Sequence, residues 1–425
     1  MNQTSALTTA TSEFKLPPLA QFDHSLKYLD PTDQQTVHFT NQSTDLYGDP
    51  LDYQWLVDGQ LVSQEKDYST KFPVGDHTVT LQVTDSTITV CPCSSIADST
   101  ITSQPDQIYP TKPLLIKYKG MNYAAAPAAP EFTVTPRIIP NQEELDEQLS
   151  TIHDELGCNA VSICVGAGYE DNLIQACEIA MQKGFDRIYV LAKYMHFTSD
   201  EIAEKLRNLA PRITALREAS DKIVWVIGNE FTFCVKGLIP GDTLKEQQIW
   251  IEQHHEAYIE AQQINIPQVF SRILPVIRSN YGYPIAYNAE PNEFDLVPWG
   301  DPLFESIGWN AYLQPQFGKD ESFFTEKFSQ LEMFGKPVIV SEFGSSTYAG
   351  ALTEDFEGQP YDEDEQARNI ERYCDMVNSG NTSGTLVSGA FLYIYNEEWD
   401  EGWGLYNGLK RKKGFYMYKS YQRVQ

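Results

Sequence analysis

IVWVIGNEF (residues 223–231) and KPVIVSEFG (residues 336–344) are the two stretches that decide how this chain folds. Each is a run of β-branched and aromatic residues that closes on a glutamate, Glu230 in the first and Glu342 in the second. Apolar runs without polar alternation read as strands buried on both faces, the kind found in parallel sheets. A polar residue at the carboxyl end of such a strand is delivered to the mouth of a parallel barrel, where active sites of that architecture are built.

Working outward from these two runs, the same texture recurs. Strands are expected at 114–123, 160–166, 187–195, 223–231, 284–290, 306–313, 337–344 and 388–399. Amphipathic stretches such as EELDEQLSTIHDELG, DNLIQACEIAMQKGF, DEIAEKLRNLAPRITALREA and DEDEQARNIERYCDMVNS lie between them. Ser199-Asp200 and Asp362 are expected helix caps, and Gly157 and Gly184 expected stops. Eight apolar strands alternating with helices predict a (β/α)8 barrel over 113–425. An open doubly wound sheet is the rival, and no glycine-rich phosphate loop follows the first strand to support it.

In a closed eight-strand barrel the fourth and seventh strands face each other across the mouth. Two carboxylates meeting there, about 5–5.5 Å apart, are the machinery of a retaining glycosidase. The acid of such a pair must hold its proton while the other group stays bare, so their surroundings must differ. Tyr287, Asn288 and Glu290, in YNAEPNEFD at the end of the fifth strand, are candidates to line the groove.

With Asn229-Glu230 on the fourth strand and Glu342 of VSEFG on the seventh, the stretch 113–425 resembles the retaining β-glycoside hydrolases of clan A. The resemblance implies Glu230 as acid/base, Glu342 as nucleophile and Asn229 as a ligand of the sugar 2-hydroxyl. It also implies that Tyr312, in GWNAY, hydrogen-bonds the nucleophile, with Asn310 as a second contact. SGAFLYIYNEEWDEGWGLYN and GMNY (120–123) are similar to fungal-type β-1,3-glucanosyltransferases, although that family's cysteines are not evident; KRKKGFYMYKSYQ resembles the closing helix of β-galactosidase and β-glucuronidase relatives. On this basis Tyr123, Tyr393, Tyr395, Trp399 and Trp403 are candidates to meet sugar rings. Glu397 and Glu398 are either hydroxyl-binding or solvated.

Residues 34–90 have a different texture: short alternating strands broken by Gly, Asp and Pro turns, which predict a small β-sandwich. FTNQSTD, GDPLDYQWLVDG and FPVGDHTVTLQVTD resemble the polycystic-kidney-disease (PKD) type, immunoglobulin-like module, with Trp55 as its core tryptophan. Such modules accompany extracellular carbohydrate-active or proteolytic domains, which implies an extracellular or cell-surface location. Residues 1–33 read as an N-terminal extension and 91–112, rich in Ser, Thr, Asp and Pro, as a linker.

A net charge of −28 disfavours nucleic acid and anionic membranes as partners. No apolar run approaches the roughly 18 residues that span a bilayer, and MNQTSALTTATSEF carries no basic-then-apolar leader pattern. Seven cysteines are an odd number. Cys158, Cys164, Cys177, Cys234 and Cys374 read as small core residues, whereas Cys91 and Cys93 sit in a CPC loop without a second Cys/His pair at zinc spacing. His196 reads as a loop histidine, and His254-His255 lack a partner at metal spacing, so neither metal nor cofactor is expected. No nucleophile-elbow string supports a serine triad. The expected protein is a retaining β-glycosidase acting on a β-linked glucan or related oligo- or polysaccharide. A β-glucan transglycosylase and a non-catalytic carbohydrate-binding barrel are the alternatives, and the oligomeric state stays open.

Overall fold

The computed structural model describes residues 18–27, 36–45, 48–71, 75–85, 94–103, 109–127, 139–241, 243–315, 318–352, 359–381, 387–396, 402–407 and 410–424. The chain forms two compact units, divided between Asp106 and Gln107.

In the second unit eight parallel strands close into a barrel: β1 (Tyr118–Ala124), β2 (Ala160–Gly166), β3 (Arg187–Lys193), β4 (Ile223–Asn229), β5 (Ile285–Ala289), β6 (Ile307–Asn310), β7 (Val338–Phe343) and β8 (Val387–Leu392). They pair in chain order, and β8 returns to β1. All eight expected strands are present. The first begins four residues late, because Lys112–Leu114 pairs instead with Tyr421–Arg423. The last ends at Leu392, short of the expected 399.

Side chains alternate between two cores. Ala124, Cys164, Tyr189, Leu191, Val224, Val226, Ala286, Ile339 and Phe391 fill the interior in layers. Intervening residues such as Met121, Val161, Val190, Trp225 and Val340 pack outward under the helices. Those helices are α1 (Gln142–Ser150), α2 (Glu170–Lys183), α3 (Ser199–Ala219), α4 (His255–Asn280), α5 (Glu321–Leu331), α6 (Glu363–Gly380) and α7 (Lys413–Ser420). The segment between β5 and β6 departs from the ideal (β/α)8 pattern. It holds only the single 3-10 turn Phe294–Leu296 where a helix was expected.

Cap chemistry sets several helix ends. Asn141 and Glu144 form a reciprocal capping box on α1, and Thr198 with Glu201 does the same on α3. The α3 cap therefore falls one residue before the expected Ser199-Asp200. Asp362 caps α6 as expected, and Gly184 ends α2 in the left-handed conformation. At the foot of the barrel the buried Lys119 Nζ donates to the carbonyls of Leu156, Tyr418 (2.9 Å) and Tyr421 (2.8 Å). It thereby ties the last turn of α7 to β1.

The first unit is all β. Leu51–Val57, Gln60–Ser63, Gly75–Asp85 and Ser94–Ser103 form one antiparallel sheet; Phe22–Lys27, Thr36–Asn41 and Tyr68–Lys71 form another. Val37, Phe39, Trp55, Val79, Leu81 and Val83 make the core, with Trp55 at its centre as expected. Asp58-Gly59, with φ of 51° and 77°, supplies the two positive values that a tight hairpin turn requires. The strands at 22–27 and 94–103 lie outside the expected 34–90, in the stretches expected to be extension and linker.

Candidate active site

The mouth is shaped by irregularities in three strands. Pairing registers shift between Val226 and Asn229 on β4, Trp309 and Asn310 on β6, and Val340 and Phe343 on β7. A bulge re-aims side chains that strict alternation would send elsewhere. The turn after β4 is tight: a Cβ on Gly228 would come within 2.2 Å of the Phe231 ring, so glycine is needed there. Glu230 follows with φ 43° and ψ 63°, a left-handed conformation that costs a residue bearing a Cβ about 1–2 kcal/mol. Its amide donates to Asn288 O (2.9 Å), which fastens the turn to β5.

On the opposite side, Glu342 is 5% exposed and accepts a hydrogen bond of 2.8 Å from the Tyr312 hydroxyl. Lys193 Nζ, at the end of β3, stands 3.8 Å from its other oxygen and 5.5 Å from the centre of the Tyr393 ring. Tyr312, Tyr393 and Trp403 meet edge to face, with centroids 5.6–6.5 Å apart, and form an aromatic wall beside this carboxylate.

Asn310 joins the two sides. Its Nδ2 donates to Glu230 Oε1 (2.9 Å) and Asn229 Oδ1 (3.3 Å), and its Oδ1 accepts from Ser341 Oγ (2.8 Å). In the β6–β7 register Asn310 lies opposite Glu342. Asn122, pointing inward from β1, donates to the Ser341 carbonyl (2.9 Å) and so joins β1 to the same network. Burial, and after it the charge of Glu342, push the Glu230 carboxyl up to about 8. The Asn310 hydrogen bond works against this; Glu290 and Glu293 add to it. The site thus contains one carboxyl biased to keep its proton, beside a second that receives a phenolic hydroxyl and a nearby ammonium. A proton donor and a nucleophile need that difference.

A second acidic pair lies beneath Glu230. Glu293 has no exposed surface and accepts from the Tyr287 hydroxyl, the Thr232 amide (3.1 Å) and the Thr232 hydroxyl (2.8 Å). Glu290, 4% exposed, accepts from the Tyr258 hydroxyl (2.7 Å), Gln262 Nε2 and the Asn292 amide (2.9 Å). Lys319, in the loop after β6, has its pKa lowered by burial, against the pull of Glu290 and Glu230.

Of the residues singled out from sequence, Glu230, Glu342, Asn229, Asn310 and Tyr312 come together here, and Asn288 lies buried opposite Asn229. Three do not reach the mouth. Tyr123 is fully buried in the outer shell, where its hydroxyl donates to Gln148 of α1 (2.7 Å), because the residue that points inward is its neighbour Asn122. Tyr395 packs against Tyr123 and Tyr406 in the same shell. Tyr287 faces outward as well, and its hydroxyl serves Phe231 N and Glu293 rather than a ligand. Trp399, Glu397, Glu398, Cys91 and Cys93 lie outside the described residues. The other five cysteines are buried thiols, as expected. Sequence reading missed Lys193, Lys319, Ser341 and Glu293. Only the placement of Lys193 at a strand end hinted at a role. Among the described residues, the carboxylates close enough together to hold a cation are Asp45, Asp49 and Asp85 of the first unit, and none belongs to the barrel mouth. No helix among the described residues is long and apolar enough to cross a membrane.

No protein-family model matches the chain, and no curated protein matches it. Solved structures do. The GH113 β-mannanase of Alicyclobacillus acidocaldarius is similar at 12% identity and a TM-score of 0.45, over 72% of this chain and 96% of that one. The family 5 xyloglucanase of Paenibacillus pabuli is similar at 12% identity and a TM-score of 0.45, over 72% and 98%. The PKD1 domain of Vibrio anguillarum Epp is similar at 29% identity and a TM-score of 0.17, over 22% of this chain and all of that domain.

Proposed function

We propose that the protein is a retaining β-glycoside hydrolase that cuts a β-linked glucan or related polysaccharide. The observation that carries the reading is the asymmetry of the pair at the mouth: Glu230 pushed up to about 8 and Glu342 held by Tyr312 and Lys193. In the first step the Glu342 carboxylate attacks the anomeric carbon, and the bond to the leaving oxygen breaks as Glu230 gives that oxygen its proton. In the second step Glu230, now a carboxylate, takes a proton from water. The water oxygen attacks the same carbon and releases Glu342. Asn229, buried beside Asn310, is the proposed ligand of the 2-hydroxyl. The Tyr312–Tyr393–Trp403 wall offers apolar ring edges and faces to the sugar. Because polymeric β-glycans do not cross membranes, we further propose that the protein works outside the cell or at its surface.

The test pairs a substrate panel of β-glucans, β-mannans, xylan and aryl β-glycosides with Glu342→Ala. The variant should lose turnover, and added azide should restore cleavage of an aryl β-glycoside, giving a glycosyl azide of inverted configuration. A Glu342→Ala protein as active as its parent, or a first-formed sugar product of inverted configuration from the unmodified enzyme, removes the reading.

A further inference from the structure

The residues directly after Glu230 are held by a single buried carboxyl group. Glu293 accepts from both the amide and the hydroxyl of Thr232, and from the Tyr287 hydroxyl. That same Tyr287 hydroxyl accepts the Phe231 amide at 2.8 Å. The Glu290 amide is a further donor to Glu293, at 3.3 Å. Convergent donors on one carboxyl favour its charged form. Burial, and then Glu290, oppose them and push it up to about 7. From α4, Gln262 donates to the Thr232 hydroxyl (2.8 Å), so the clamp is anchored in the helical layer as well. Glu230 itself stands in a left-handed conformation, and such backbone persists where its surroundings over-determine it. Those surroundings are Asn288 O before the turn and the Glu293 cluster after it.

We propose that Glu293 is a positioning residue for the proton donor: its carboxylate clamps Phe231, through Tyr287, and Thr232, directly, and so fixes the direction in which Glu230 presents its carboxyl to the mouth. The inference rests on the reading of Glu230 as acid/base. It also gives the negative charge of Glu293 a use, since that charge raises the affinity of Glu230 for its proton.

The charged and titratable groups around the two residues come from several elements. Glu342 on β7, Glu290 and Glu293 after β5, and Lys319 after β6 act on Glu230. Tyr312 after β6 and Cys234 after β4 feel its charge. Lys193 on β3 faces Cys234 and Glu342. Glu290, Tyr287, Tyr258 and Cys234 surround Glu293. Of these, Glu293 is the carboxylate that also grips the chain directly after Glu230, at Thr232 itself and at Phe231 through Tyr287, while the Cys234 thiol donates to the Asn229 carbonyl just before it (3.0 Å).

The experiment compares Glu293→Gln with the parent on two aryl β-glycosides of the sugar that the parent cleaves, one with a 2,4-dinitrophenyl and one with a 4-methylphenyl leaving group. Bond breaking needs the acid only for the poor leaving group. Misplacing the donor should therefore lower kcat/KM by about 10- to 100-fold for the 4-methylphenyl substrate and by less than about 3-fold for the other. The alkaline limb of the kcat/KM profile should also move to lower pH, because Glu230 loses a neighbouring negative charge. If Glu293→Gln does not fold, Tyr287→Phe removes the hydroxyl between Phe231 and Glu293, and the same selective loss is expected. Equal losses on both substrates with an unmoved alkaline limb, or no loss at all, overturn the proposal. Glu230→Ala on the same two substrates separates the two readings. A selective loss there keeps Glu230 as the acid even where Glu293→Gln shows none.

Discussion

Replacing Glu230 by glutamine should stabilise the barrel, and the gain should grow with pH. The carboxyl is raised from 4.5 to about 8 in the folded protein, chiefly by burial. A group raised in this way binds its proton more tightly folded than unfolded. Its contribution is fully present below about pH 4.5, and it is lost as pH rises through 8. At about 1.36 kcal/mol per unit, folding should lose on the order of 3 kcal/mol through this one group between pH 5 and pH 8. Glutamine has the same shape, can still accept from Asn310, and does not titrate. The advantage of the variant should therefore be below about 1 kcal/mol at pH 5 and on the order of 3 kcal/mol at pH 8. The second unit has 319 residues (107 to 425). With an unfolding entropy of roughly 2.1 cal/mol/K per residue, each kcal/mol shifts its Tm by about 1.5 °C. Thermal unfolding followed by tryptophan fluorescence, which the barrel dominates, should show a Tm advantage of about 4–5 °C at pH 8 and little at pH 5. An advantage that is absent, or the same at both pH values, would refute the account of why Glu230 keeps its proton.

Two further outcomes are expected. Tyr312→Phe removes the 2.8 Å hydrogen bond to Glu342 and leaves the ring in the aromatic wall. Steady-state kinetics should show kcat falling by roughly 10-fold or more, with KM within about 3-fold of the parent, since hydrogen bonds to charged groups contribute about 1.5–3 kcal/mol. Lys119→Met leaves the carbonyls of Leu156, Tyr418 and Tyr421 without their shared buried donor. Denaturant unfolding of the barrel should register a loss of roughly 2–4 kcal/mol, while kcat per folded molecule stays unchanged.

The barrel was legible because its signal is repeated eight times and each repeat is simple. Strands buried on both faces need unbroken Val, Ile and aromatic runs, and IVWVIG or PVIV leaves little else to choose. The two glutamates were legible because they break such runs at one end. What the sequence hid was direction. Tyr123 and Tyr287 looked like mouth residues, yet their inward neighbours are Asn122 and Asn288. Both tyrosines follow plain alternation, outward between the inward Asn122 and Ala124 or beside the inward Ala286, and β1 carries no register shift; a strand apolar on both faces does not mark which phase points inward. Lys193 was missed because one lysine at the end of RIYVLAK reads as a solvated strand terminus. Glu293 was missed because its role depends on Thr232, which is 61 residues distant. In the first unit, SSIADSTITS reads as a linker because an exposed edge strand does not need an apolar face. Its pairing with Gly75–Asp85 comes from backbone hydrogen bonds.

The field at the mouth narrows the chemistry further. Glu230, Glu290, Glu293 and Glu342 lie close enough for the charges of the other three to raise the first, in a chain of net charge −28. Lys193 and Lys319 offset part of this, and burial lowers the hold of Lys319 on its own proton. Phosphoryl and acyl transfer develop negative charge on oxygen, and this field would oppose them. Glycoside cleavage develops positive charge on the anomeric carbon and ring oxygen, and the field favours it. The same carboxyl groups that make the mouth unfavourable to bury would thus suit the cationic transition state of the proposed reaction. Glu230→Gln should therefore relieve the fold as pH approaches 8 and, on the proposed mechanism, remove the proton donor in the same step.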